Sequence, residues 1–208
     1  MGRLRPPQFP LFSNGAYMTD SVSICNLALQ RIGAKTISAL TDDTTAGRAC
    51  NRVYPQALDS ELRAHPWSFA RGRVQIAADS VDPVFGYAKR YLLPSDWLRI
   101  LPTNGVDSTP VQDDFQIEGR YLLTDMASPI NLVYIKRVTD EETFDSLFIE
   151  LLIARVAADV CEKVTQSNTK KAVAREHYMD MKKEARRVNA FERPPQEPPE
   201  DVWLTARR

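Results

Sequence analysis

A chain of 208 residues with 43% hydrophobic and 26% charged side chains is long enough to bury a core and too apolar to remain disordered. Lys and Arg number 27, as do Asp and Glu, so the neutral chain lacks an overall positive field for capturing nucleic acid, and any DNA contact has to be local. No apolar run approaches the roughly 20 residues of a membrane helix; the nearest, residues 147–160, is broken by Glu150, Arg155 and Asp159.

The first 20 residues read as an arm. They carry Arg3, Arg5 and three prolines and lack the continuous apolar stretch of a secretory signal; Met18 is an alternative start. A helical part, residues 21–72, follows. Val22, Cys25, Leu29 and Ile32 recur at helical spacing, with Ser21 as the expected N-cap and Gly33 as the stop. A second helical pattern, Ala46 through Cys50, Tyr54, Ala57 and Leu58 to Leu62, is introduced by Asp43, Thr44 and Thr45. Pro55 inside it removes a backbone donor, which predicts a kink or two abutting segments; His65-Pro66 closes the helix.

Residues 73–138 change to short β-like runs at 74–77, 87–93, 97–101, 115–117, 121–124 and 130–138, separated by turn residues such as Asp82-Pro83 and Asn104-Gly105. This predicts an inserted antiparallel β domain, with a hairpin at Glu118-Gly119-Arg120. Its aromatics, Phe85, Tyr87, Tyr91, Trp97, Phe115, Tyr121 and Tyr134, are expected to form the core of a small sandwich rather than a ligand groove.

Helical periodicity returns in residues 139–192. Phe144, Phe148, Leu151, Leu152, Val156 and Val160 mark a helix buried on most sides. Ala174, Tyr178, Met181, Ala185 and Val188 then form a narrow seam on a last helix. The opposite face of that helix is basic, with Lys171, Arg175, Lys182 and Arg186 as candidates for a subunit or DNA contact. Glu176, Asp180 and Glu184 are interleaved there, which favours intrahelical pairing or a subunit contact over direct DNA binding. Residues 193–208 form a proline-rich tail, Pro194 to Pro199 acting as a spacer before the apolar Trp203-Leu204 and the basic Arg207-Arg208. A large apolar pair beyond a spacer has no core of its own and should dock on this subunit or another molecule. The fold class is therefore α+β: a helical bundle with an inserted small β domain and an extended C-terminal tail.

Site chemistry is sparse. Asp59, Glu61 and His65 lie close in sequence, but Asp59 and Glu61 point in different directions on a helix, so a structural role is favoured over general acid and base catalysis. Cys25, Cys50 and Cys161 have no paired spacing and read as reduced core residues of a cytoplasmically assembled protein; with His65 and His177 they make no metal-ligand pattern. No cofactor motif is present.

Several stretches resemble the tail tubular protein A, or head-to-tail adaptor, family of short-tailed bacteriophages. The first is Ile24-Cys25-Asn26-Leu27-Ala28-Leu29-Gln30-Arg31-Ile32-Gly33. The second joins Cys50 and Tyr54-Pro55-Gln56-Ala57 to Leu62-Arg63-Ala64-His65-Pro66-Trp67-Ser68-Phe69-Ala70. Tyr91-Leu92-Leu93-Pro94-Ser95-Asp96-Trp97-Leu98-Arg99 and the closing Trp203-Leu204 with Ala206-Arg207 complete the likeness. The resemblance implies a virion protein and not an enzyme: a dodecameric ring at the head-tail junction, binding the portal and the tail nozzle, with tail fibres as a further neighbour. DNA would pass through its lumen without sequence-specific binding, and the C-terminal Trp203, Leu204, Arg207 and Arg208 would contact the portal or a neighbouring subunit. The competing expectations are a tail-associated cell-wall hydrolase with Glu61 or Asp59 as acid, and a DNA-binding packaging component.

Overall fold

The computed structural model describes residues 20–101 and 115–192. The arm before residue 20, the Asn104-Gly105 turn and the tail from Arg193 onward lie outside the described residues. Within them the fold is α+β, helices flanking two small antiparallel sheets.

Helix α1, Ser21–Arg31, starts one residue earlier than expected. Its cap is Asp20, whose carboxylate accepts from the Ser23 amide at 2.8 Å, and Ser21 is the first helical residue. Both residue types can cap; Asp20 has the extended backbone the position requires. Gly33, at φ +70°, takes the left-handed turn that ends the segment.

Helix α2, Thr45–Ala64, is capped by Thr44 and runs through Pro55 as one element, so of the two expected outcomes, a kink or two abutting segments, the division into two does not occur. Pro55 is exposed, and so is Asn51, whose carbonyl loses its helical partner. That oxygen can face water, while Cys50, Tyr54, Ala57, Leu58 and Leu62 hold the other side of both halves in the core. His65 then adopts an extended conformation and ends the helix.

Six strands follow: β1 (Arg71–Ile76), β2 (Lys89–Leu92), β3 (Trp97–Ile100), β4 (Phe115–Glu118), β5 (Tyr121–Thr124) and β6 (Ile130–Lys136). They form two sheets, β1-β6-β3 and β2-β5-β4. The β4–β5 hairpin turns at Gly119, whose φ of +60° suits a tight two-residue loop. Tyr91, Leu93, Ile100, Leu122, Ile130, Leu132 and Tyr134 fill a small core between the sheets. Phe85 is not part of it: the residue is 87% exposed, on the loop joining β1 to β2.

Helix α3, Ser146–Thr165, is capped by Asp145 and buried from Phe148 to Cys161 on most of its surface. It is the axis of the larger core, with α1, α2 and α4 against it. Ile135 from β6 and Leu101 join this core, which seats the β1-β6-β3 sheet on the helices. At the junction Trp67 stacks on Phe69 at 6.4 Å between centroids, and Phe144 and Phe148 meet these rings and each other edge to face or tilted at 5.0–5.6 Å.

Helix α4, Asn168–Phe191, follows a short turn in which Gln166 is left-handed at φ 52° and Ser167 caps. Its buried seam is Tyr178, Ala185 and Asn189; Val188, expected in it, is exposed. The polar Asn189 is tolerated inside because its amide bonds His65, Ser68 and Glu192.

Candidate interaction surface

The three residues that were candidates for acid and base chemistry are drawn into separate structural contacts. Asp59 holds Arg137 through two bonds of 2.8 and 2.5 Å, tying α2 to the end of β6. His65 bonds Asn189 at 3.0 Å and meets the Trp67 ring edge-on at 4.6 Å between centroids. Glu61 is 1% exposed and accepts a 2.6 Å hydrogen bond from the Tyr178 hydroxyl. Arg155 and Lys182 both donate to that same hydroxyl, at 3.1 and 2.7 Å, and both sit 3.6 Å from Glu61. One carboxylate, one phenol and two cations thus join α2, α3 and α4 in a network whose carboxylate is buried and whose cations reach the surface.

The basic side of α4 is divided by these contacts. Lys182 turns inward to Tyr178, and Lys170 donates to the Ile32 carbonyl at 3.0 Å, pinning the end of α1. Lys171 pairs with Glu162. Arg186 is half-buried, and Arg175 is exposed beside a small cavity of about 310 Å³ that Arg155, Lys171 and Tyr178 also line. Of the four sequence candidates, Arg175 is exposed and Lys171 partly so; the spacing of the charges along α4 carried no signal of the inward turn of Lys182.

Among the described residues several large apolar side chains are exposed, Phe191 at the end of α4 among them, and two apolar features bear on association. Val84 and Phe85 stand 96% and 87% exposed at the tip of the β1–β2 loop. On the helical part, the end of α1 and the facing sides of α3 and α4 enclose a groove of about 670 Å³, lined by Ile32, Ala154, Ala157, Val173 and Ala174 with Arg31, Lys170 and His177 at its rim. Sequence reasoning assigned Phe85 to the core and did not find the groove. The Asp82-Pro83 and Gly86 flanks of the tip were the available signal, since turn residues on both sides of an apolar pair place it on a loop.

Cys25, Cys50 and Cys161 are buried and unbridged. The adjacent Cys50 sulfur and burial hold the Cys25 thiol above the ordinary thiol range, where the reactive thiolate is scarce. Among the described residues no group of three or more His, Cys, Asp or Glu is placed to hold a metal, and no helix is long and apolar enough to cross a membrane. Trp203, Leu204, Arg207 and Arg208 lie outside the described residues.

The geometry defines an α+β protein in which several ionisable groups brace one element against another. No family model matches the sequence, and a search of curated proteins finds no match to it.

Proposed function

We propose that the chain is a structural adaptor subunit that assembles with further copies into a ring joining the portal of a short-tailed phage to the tail nozzle, around the DNA path. The sequence resemblance supports this. The single observation that carries it is where the residues of that resemblance lie: Cys25, Leu29, Cys50, Tyr54, Ala57, Leu62, Trp67 and Ala70 are all core residues of the helical part. Residues shared for packing transmit a scaffold, which is what a mechanical role needs. The same scaffold leaves Asp59, Glu61 and His65 engaged in inter-element contacts, which disfavours the hydrolase alternative.

In this role the chain acts by position. Many copies closing on one another surround the DNA without reading it, and the tail residues Trp203, Leu204, Arg207 and Arg208 anchor each copy to the portal or a neighbour. Electron microscopy of the purified chain mixed with portal-bearing, tailless heads tests the proposal: a ring of added density at the portal vertex is expected, and heads that stay bare overturn it. Release of peptidoglycan fragments would favour the hydrolase instead, and tight, salt-sensitive DNA binding by the free chain would favour a packaging component.

A further inference from the structure

The exposed apolar tip and the apolar groove are complementary, and we infer that the Val84-Phe85 tip of one copy inserts into the α1/α3/α4 groove of the next. This deepens the ring reading and rests on it, because it names the contact by which copies join.

The tip is presented rather than loose. At its base the Asp79 amide donates to the Arg90 carbonyl at 2.8 Å, Arg90 pairs with Asp79 at 2.9 Å and Lys89 pairs with Asp82 at 2.9 Å. The Ala88 amide adds a 2.8 Å bond to Asp125. Pro83 and Gly86, the latter at φ +92°, bracket the two apolar residues. A braced loop loses little freedom on docking, so most of the gain from burying an aromatic side chain is retained in binding.

The groove suits that occupant in size and in apolar character. Its volume of about 670 Å³ falls in the range of pockets that enclose small organic groups, and its floor is formed by the short side chains of Ala154 and Ala157. Tip and groove are different patches of one chain, one on the β part and one on the helical part. A contact between them is head-to-tail, the kind that repeats from copy to copy and makes a ring where its rotation closes.

The experiment uses the full chain carrying either Phe85→Cys or Val173→Cys, both at exposed positions, with the three native cysteines buried. The two variants are mixed under mild oxidation, free in solution and on portal-bearing heads. Disulfide-linked heterodimers well above the level of either variant alone are expected in at least one setting; their absence from both overturns the inference. Phe85→Asp should weaken association of the free chain, or occupancy on heads, about tenfold or more without lowering the melting temperature. Association unchanged by Phe85→Asp but abolished by Trp203→Ala would overturn the inference and assign the copy-to-copy contact to the tail. Head binding without the cross-link sinks this contact alone, and cross-linking of a chain that leaves heads bare sinks the adaptor reading alone.

Discussion

Tyr178 on α4 donates to Glu61 on α2 across 2.6 Å and 117 residues of sequence. Arg155 from α3 and Lys182 from α4 converge on the same hydroxyl, so a single oxygen is shared by three helices. Tyr178→Phe should cost about 1–2 kcal/mol, the worth of hydrogen bonds to charged partners. Glu61→Ala should cost about 3 kcal/mol, the low end for breaking a buried ion pair, because Arg155 and Lys182 keep 30% and 23% of their side-chain surface in water. Urea unfolding of both variants and the double variant measures the coupling. Strictly additive losses would show that the network does not act as a unit.

Asp20 supplies a pH-dependent contribution. Hydrogen bonds from Ser23 hold its carboxyl below the usual carboxylate range. A depressed folded-state value means the cap is fully effective above the unfolded pKa of about 3.9 and is lost as pH falls through the lower folded value. Asp20→Ala should therefore cost about 1 kcal/mol at neutral pH. The difference from the parent should shrink on acidification below about pH 3.9. A gap that stays constant down to pH 2 would rule out the charged cap as its source.

At Gly47 a side chain has no room. A Cβ placed there would lie 2.4 Å from the Asp42 carbonyl oxygen, a backbone atom that cannot swing aside. Gly47→Ala should destabilise by about 1–3 kcal/mol, although alanine is the better helix former. A melting temperature equal to or above the parent's would refute it.

The thiols provide a clean readout of packing. Cys25, Cys50 and Cys161 should react slowly with a thiol reagent in the native chain and completely, as three free thiols, after denaturation without reductant. Fewer than three after anaerobic denaturation would indicate a bridge.

Trp203→Ala addresses the tail. Retention on portal-bearing heads should fall while the melting temperature of the free chain stays unchanged. Unchanged retention with a lower melting temperature would make the tail an intramolecular clasp instead.

Much of the fold was legible because its signals are local. Among the described residues the four α-helices and six strands each announce themselves through apolar period, caps or turn residues, and the β4–β5 hairpin through Gly119. Strand partnership was not legible beyond that hairpin: β6 lies between β1 and β3, a choice made by burial of alternate faces and not by chain order. Local signals also failed where two acceptable outcomes differ by little. Asp20 and Ser21 can both cap, and an exposed proline can be carried by a helix whose other face is buried.

By itself, the amino-acid sequence determined the elements, their order and the apolar stripe each must bury, because hydrogen bonding within a helix and alternation along a strand depend on residues a few positions apart. Only the tertiary structure decided that Asp59, Glu61 and His65 part company and that Asn189 displaces Val188 from the seam of α4. Each outcome depends on a partner far along the chain: Arg137 for Asp59, Tyr178 for Glu61, Asn189 for His65. Burial of a polar or charged group is settled by whether such a partner reaches it, and that is a property of the packed molecule.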